Sequence, residues 1–127
     1  MAKILIVDDD HAALDLLELF LYSDYEVVTA LNGFDGMTKA EKEKPDLIIT
    51  DITMPVMDGI RFFNLAIKNE AVKRVPIIAV TSFAEGITAK SLINMGFSGV
   101  IPKPLERGLI LTVIADTLRA AAEKGSS

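Results

Sequence analysis

Five short runs of mostly apolar residues recur along the chain, each four residues long or shorter. They are rich in Val and Ile, and their apolar residues occupy consecutive rather than alternate positions. This pattern is typical of strands that are buried on both faces, as in a parallel sheet covered by helices. The predicted strands are residues 4–7, 27–30, 47–50, 77–80 and 100–101.

Segments with helical periodicity separate these strands. Near both ends of the chain, apolar side chains recur at positions i, i+3, i+4, i+7 and i+8, which predicts two amphipathic helices. Weaker stripes around Met37, Phe63 and Leu92 predict three more. The stripes expected to face the core are Ala13, Leu16, Leu17, Phe20 and Leu21 in the first helix, and Ile110, Val113, Ile114, Thr117, Leu118 and Ala121 in the last.

Strand and helix alternate five times, which predicts an α/β fold. Such a chain forms a doubly wound parallel sheet with right-handed crossovers and helices on both faces. Ligands of these folds bind at the carboxyl ends of the strands. With 127 residues, the chain has the length of one domain. We place that domain at residues 1–122 and expect a flexible tail at residues 123–127.

Composition and charge restrict the function further. The chain carries 13 Lys or Arg against 18 Asp or Glu, and its net charge of -5 argues against direct binding of nucleic acid or of an anionic membrane. A cationic partner or a metal ion fits better. The absence of cysteine excludes disulfides and cysteine-ligated zinc. Because no apolar stretch is long enough for a signal peptide or a membrane span, we expect a cytoplasmic protein.

Polar side chains follow the predicted strands at the end where a ligand would bind. Asp8 and Asp9 come after the first strand, Asp51 after the third, Thr81 after the fourth and Lys103 after the fifth. Any one of them could be an ordinary cap or loop residue. As a set, however, carboxylates about 4 Å apart would repel by roughly 4 kcal/mol per pair at an effective dielectric near 20. Mg²⁺, which prefers hard oxygen ligands, and a nearby ammonium would offset that repulsion.

This set of residues suits phosphoryl transfer, in which a protein mainly positions the reactants and neutralises charge. A carboxylate can itself be the nucleophile and form an aspartyl phosphate. In this scheme Asp51 attacks phosphorus, while Asp8 and Asp9 hold Mg²⁺. Lys103 pairs with one phosphoryl oxygen, and the hydroxyl of Thr81 donates a hydrogen bond to another.

The chain resembles the receiver domain of bacterial two-component response regulators. The resemblance extends from Lys3 to about Leu118, nearly the whole chain, and each motif stands in order and at the family's spacing. The motifs that carry it are Ile4-Leu5-Ile6-Val7-Asp8-Asp9-Asp10, Asp51-Ile52-Thr53-Met54-Pro55-Val56-Met57-Asp58-Gly59, Val80-Thr81-Ser82 and Lys103-Pro104.

The resemblance implies a flavodoxin-like (βα)5 fold with strand order 2-1-3-4-5. It implies a signalling switch rather than an enzyme, with chemistry limited to its own phosphorylation and dephosphorylation. Asp51 matches the phosphoacceptor of the family. Asp8, Asp9 and Asp51 match its ligands for Mg²⁺ or Mn²⁺, together with the backbone carbonyl of Thr53.

Two further positions match the family, and two depart from it. Thr81 matches the switch hydroxyl, and Lys103 matches the phosphoryl contact, with a cis peptide bond expected before Pro104. Receivers usually carry Tyr or Phe three residues before this lysine, whereas this chain has Val100, which puts an aromatic rotamer switch in doubt. Ser82, larger and polar, stands where alanine is usual.

The leading hypothesis is a phosphorylation-activated switch that receives its phosphoryl group from a sensor histidine kinase or a phosphotransfer protein. It would signal by contact with an unidentified downstream protein, or with a second copy through the fourth helix, fifth strand and fifth helix. A degenerate receiver that binds partners without phosphorylation is one alternative, suggested by Val100 and Ser82. A Mg²⁺-dependent phosphohydrolase is the other, and Thr53 counts against it, because haloacid-dehalogenase-type phosphatases usually have an acidic residue there.

Overall fold

Five parallel strands and five α-helices alternate along the chain in a computed structural model that describes residues 1–54 and 57–125. A short 3-10 helix, Ala84–Gly86, follows the fourth strand. The elements in chain order are β1 (Lys3–Val7), α1 (His11–Leu21), β2 (Glu26–Ala30), α2 (Gly33–Glu43), β3 (Leu47–Asp51), α3 (Gly59–Ala66), β4 (Ile77–Thr81), α4 (Ala89–Met95), β5 (Gly99–Pro102) and α5 (Arg107–Gly125).

The strand order is β2-β1-β3-β4-β5, and all neighbours are parallel, which confirms the predicted flavodoxin-like sheet. Alternate side chains of each strand supply two separate cores. Leu5 and Val7 pack on the side of α2, α3 and α4, whereas Ile4 and Ile6 pack on the side of α1 and α5. Because both faces are covered, the strands carry the consecutive apolar residues seen in the sequence.

Side chains at four helix starts cap the first turn. Asp10, Asn32, Asp58 and Thr88 each accept a hydrogen bond from a backbone N–H of the following turn, at 2.8–3.0 Å. Such caps contribute about 1 kcal/mol each to stability. Asn-Gly and Asp-Gly pairs are typical of turns. In this structure Asn32-Gly33 and Asp58-Gly59 instead begin α2 and α3, with the polar residue as the cap and the glycine as the first helical residue.

The predicted core stripe of α1 is partly wrong. Leu14, Leu17 and Leu21 are the buried residues of this helix, and Leu16, which we expected in the core, is 37% exposed. Apolar residues surround much of α1, so their period alone leaves the phase of the buried face undetermined. Phe20 lies half-buried at the edge of the core.

The stripe of α5 agrees better with its prediction. Ile110, Ile114 and Thr117 are buried, and Val113 and Leu118 pack partly against the same core. The helix continues through Gly125, so residues 123–125 are helical where the flexible tail was expected to begin. Three consecutive alanines at 120–122 favour this extension. Residues 126–127 of the tail lie outside the described residues, and the boundary at residue 122 stays a prediction.

No helix within the described ranges combines the length and the apolar character needed to cross a bilayer.

Candidate functional site

The carboxyl ends of β1, β3, β4 and β5 form one rim of the sheet. In the register of the sheet Val7 pairs with Thr50, so Asp8, which follows β1, and Asp51, which ends β3, emerge side by side. One carboxylate oxygen from each of Asp8, Asp9 and Asp51 lies within 4.8 Å of the other two. The topology therefore brings Asp51 beside Asp8 and Asp9, from which it is more than forty positions away in the sequence.

Asp8 is the most deeply placed of these carboxylates, with 2% of its surface exposed. Its Oδ1 accepts a hydrogen bond from the backbone N–H of Asp10 at 2.9 Å. Burial raises the pKa of the Asp8 carboxyl from 3.8 to about 6. The Asp10 N–H and Lys103 oppose this rise, whereas Asp51 and Asp9 add to it by repulsion.

Asp51 is the last residue of β3 and is 5% exposed. Its Oδ2 forms an ion pair with Nζ of Lys103 at 3.2 Å, and its Oδ1 accepts a long hydrogen bond of 3.4 Å from the N–H of Thr53. The backbone N–H of Lys103 donates to the carbonyl of Thr81 at 2.9 Å, which fixes the start of the loop after β5. The Lys103–Pro104 peptide bond is cis, as the resemblance implied.

The charges at this rim fit a divalent cation. Asp8, Asp9 and Asp51 contribute three negative charges when ionised, and Lys103 returns one positive charge, which leaves a formal charge of -2. A cation of charge +2 would balance the site. The donors are hard carboxylate oxygens, the type that Mg²⁺ prefers, and the exposed position of Asp9 leaves the site accessible to water ligands.

Thr81 ends β4 and is buried beside this rim. Its Oγ1 accepts a hydrogen bond from the N–H of Phe83 at 2.9 Å, and Phe83 takes a left-handed conformation with φ of 62°. Because this bond uses a lone pair of the hydroxyl, the Thr81 O–H remains able to donate to another group. The turn therefore orients the hydroxyl without consuming its proton.

Gly59 is a supporting residue whose role the sequence did not reveal. Its N–H donates to the carbonyl of Ile52 at 2.9 Å, and a Cβ at this position would lie 2.3 Å from the carbonyl oxygen of Asp51. The start of α3 thus packs directly on the backbone that carries Asp51. An Asp-Gly pair in a sequence is typical of a turn and does not by itself indicate a close approach of two backbones.

Comparison with known proteins settles the family. The profile of the response regulator receiver domain matches residues 4–115, most of the chain. The protein belongs to this family. It is therefore a receiver domain of the kind found in two-component signalling, and the predicted fold and family are both confirmed.

Relatives of this receiver domain are mostly longer proteins. The transcriptional regulatory protein GlrR of Escherichia coli K12 is 34% identical over 122 residues, which are 95% of this chain and 27% of GlrR. The alkaline phosphatase synthesis transcriptional regulatory protein PhoP of Bacillus subtilis is 35% identical over 103 residues, which are 80% of this chain and 42% of PhoP. The chain thus spans between about a quarter and two-fifths of these two relatives.

Solved structures of the same length share the fold closely. The chemotaxis protein CheY4 of Vibrio cholerae superposes with a TM-score of 0.84 at 30% identity, over 92% of this chain and 98% of CheY4. A CheY-like receiver domain from Methanospirillum hungatei gives a TM-score of 0.87 at 31% identity, over 98% of both chains.

Other residues singled out from the sequence lie around the site of this receiver domain. Val100 is half-buried and packs against the core on the side of α2, α3 and α4, and Ser82 is exposed. Met54 and Met57 are buried beside the acidic rim, and the Pro55-Val56 pair between them lies outside the described residues. The carbonyl of Thr53 stays a predicted ligand.

Proposed function

We propose that Asp51 of this receiver domain accepts a phosphoryl group from a phosphohistidine on a sensor histidine kinase or a phosphotransfer protein. The observation that carries the proposal is the position of Asp51, which ends β3 beside Asp8 and Asp9 and is paired with Lys103. A nucleophilic carboxylate, two further acidic groups that can hold a metal ion and one ammonium suit the transfer of a phosphoryl group to an aspartate.

The transfer replaces a P–N bond with a P–O bond. A carboxylate oxygen of Asp51 attacks phosphorus, the bond to the histidine nitrogen breaks, and the imidazole of the donor keeps that electron pair. Asp8, Asp9, Asp51 and the carbonyl of Thr53 would hold Mg²⁺ or Mn²⁺, which when bound neutralises charge on the phosphoryl oxygens. No general base is needed, because the attacking group is already an anion.

Two side chains of the chain would then respond to the new charge. Lys103, now 3.2 Å from Asp51, would pair with a phosphoryl oxygen, and the Thr81 hydroxyl would donate a hydrogen bond to another. A phosphoryl group adds about -1.5 to -2 charges at pH 7. Movement of Thr81 and Lys103 toward it would displace the loops after β4 and β5 and bias the surface of α4, β5 and α5.

The output of this switch would be a protein contact. We expect an unidentified downstream protein, or a second copy of the chain, to recognise the surface of α4, β5 and α5 in one of its two states. Exposed Met95 and Leu109 give that surface apolar contact area.

Intact mass measurement tests the acceptor directly. Incubated with Mg²⁺ and acetyl phosphate, the wild type should gain the mass of one phosphoryl group, and Asp51→Asn should gain none. Asp58→Asn is the matched control, because Asp58 is an exposed helix cap and asparagine caps equally well. EDTA should abolish the gain in the wild type and in Asp58→Asn.

Two results would contradict the proposal. Equal mass gain in Asp51→Asn would move the acceptor to another residue. Absence of any gain in the wild type, with a phosphorylated kinase also tried as donor, would favour a receiver fold that binds partners without phosphorylation.

A further inference from the structure

A groove of about 900 Å³ lies at the end of the sheet opposite Asp51. It is formed where β4 and β5 begin and where α3, α4 and α5 end. Phe63 and Phe97 lie buried beneath it as a stacked pair, with ring centroids 4.2 Å apart. The length of β4 separates this groove from Thr81 by about 13 Å, at roughly 3.3 Å per residue.

The groove exposes large apolar side chains. Ile67, at the end of α3, is 44% exposed, and Ile93, on α4, is 48% exposed, and both line the groove. Together with the rings beneath them, they give it an apolar surface. Apolar surface gathered in a concave site, rather than scattered singly, is typical of a binding site.

The charge of this groove is opposite to that of the protein. Lys73, Arg74 and Lys124 line it, and no acidic side chain does so among the described residues. The whole chain has 18 acidic and 13 basic residues. The groove is therefore a basic region on an acidic protein, and charge complementarity favours a ligand that carries carboxylates.

Two of these cations are available to such a ligand. Arg74 is exposed and makes no ion pair with another described residue. Lys73 pairs with Glu70 at 2.8 Å, but the Glu70 side chain is 87% exposed. Exposed pairs of this kind contribute about 0–1 kcal/mol, so an incoming carboxylate can replace Glu70 at little cost.

We propose that this groove binds an acidic segment of a partner protein that also carries apolar side chains. Its carboxylates would pair with Arg74 and Lys73, and its apolar side chains would cover Ile67 and Ile93. Because the groove lies at the far end of the strands, this contact is independent of the chemistry at Asp51. The receiver would be held by one partner while its phosphoryl-accepting end remains open to another.

A polypeptide fits the groove better than an anionic small molecule, a nucleic acid or an anionic membrane. Small-molecule sites usually bury 70–90% of their ligand, whereas the isoleucines here stand open to solvent. Nucleic acids and anionic membranes present dense arrays of negative charge that extend past the groove. The rest of the protein, with a net charge of -5 for the chain, would repel them.

Selection from a displayed library of random peptides tests this inference with the full chain. We expect the enriched peptides to combine Asp or Glu with Leu, Ile or Phe. When a selected peptide is titrated into ¹⁵N-labelled protein, the shifted amide resonances should be those of the groove, such as Arg74, Gly96 and Ser98. Wild type and Asp51→Asn should bind that peptide equally.

Matched variants separate the groove from the rest of the surface. Arg74→Glu should weaken binding roughly tenfold, the factor for loss of one charge-assisted pair, whereas Arg61→Glu, an exposed arginine outside the groove, should not. Ile67→Ser should weaken it by a similar factor, roughly tenfold, through lost apolar contact. Leu65→Ser is its control, because Leu65 is 43% exposed on the same helix but does not line the groove.

The inference is overturned by any of three results. Enriched peptides that are basic or uncharged would remove the charge argument. Equal binding to Arg74→Glu or Ile67→Ser, or resonance shifts centred on α1 or on the acidic rim around Asp51, would place the contact elsewhere. Saturable binding of phosphatidylglycerol vesicles or single-stranded DNA at the groove, without any enriched acidic peptide, would assign it to a different ligand.

Discussion

Asp8 has an electrostatic cost that should be measurable as a dependence of stability on pH. Its pKa is about 6 in the metal-free native state and 3.8 without the protein environment, because burial disfavours the charged carboxylate. Between about pH 4 and 6 the native protein keeps a proton that the unfolded chain has lost. The free energy of unfolding should therefore fall as pH rises through this window, by on the order of 3 kcal/mol from this group alone.

Urea unfolding in EDTA checks this expectation. Asp8→Asn should be more stable than wild type at about pH 7.5, since asparagine can still accept the hydrogen bond from the Asp10 N–H without carrying charge. The difference should shrink toward about pH 4.5, where the wild-type carboxyl is protonated. Asp15→Asn, on the exposed face of α1, should follow the wild type throughout. Parallel pH profiles for Asp8→Asn and the wild type would contradict the assignment.

The sequence was enough to predict that these carboxylates lie together at one rim, but not which of them is buried. Asp8 and Asp9 are chemically identical neighbours, yet one is buried and the other exposed, because β1 ends just before Asp8 and the chain bends at Asp9. The sequence shows which residues directly follow each apolar run, which is why the acidic rim could be predicted. The degree of burial and the resulting pKa depend on how neighbouring loops cover the rim, which only three-dimensional packing determines.

The joint between β3 and α3 is the element on which the geometry of Asp51 depends most. A Cβ on Gly59 would meet the carbonyl oxygen of Asp51 at 2.3 Å and the Cα of Ile52 at 2.9 Å, and both are backbone atoms that cannot turn aside. We expect Gly59→Ala to destabilise the protein by about 1–3 kcal/mol, the usual cost of overpacking. It should also slow phosphorylation by acetyl phosphate, because α3 must move away from β3.

Gly108→Ala is the matched control for this joint. Gly108 lies in the first turn of α5, where a Cβ would approach only a side-chain oxygen of Glu106, at 3.0 Å. Alanine favours a helix over glycine by roughly 0.5–1 kcal/mol, so this variant should keep or gain stability. Thermal unfolding of both variants separates the steric effect from the loss of glycine itself. Equal destabilisation would show that the contact with Asp51 is not the cause.

Elements of this fold differ in how well a sequence predicts them. All five strands were predicted to within one residue at each end. A buried parallel strand needs consecutive apolar residues, and few other elements contain such a short apolar run. The face of α1 was harder, since Leu14 and Leu16 are equally apolar and only packing against the sheet selects Leu14. The groove at the end of the sheet opposite Asp51 could not be predicted from any local sequence pattern, because its residues come from three helix ends and two strand starts.

The two ends of the sheet have opposite chemical character across the whole molecule. The carboxyl end gathers Asp8, Asp9 and Asp51 around one lysine, whereas the amino end holds the basic groove. All strands are parallel, so every carboxyl end faces the same rim, and the acidic residues cannot be separated without changing the topology. The fold therefore concentrates negative charge, and a bound cation should stabilise the molecule as a whole.

Titration with MgCl₂ tests that expectation on the complete chain. A ligand that binds only the native state stabilises it by about 2.7 kcal/mol at a concentration 100 times its Kd. Mg²⁺ should raise the unfolding midpoint near pH 7.5 more than NaCl of equal ionic strength, and less near pH 5, where a proton on Asp8 competes with the ion. Asp9→Asn should lose most of the gain, because it removes an exposed ligand and leaves the core intact, whereas Asp15→Asn should keep it. If NaCl stabilises the protein as much as MgCl₂, screening of the acidic rim explains the effect, and the three carboxylates hold no specific ion.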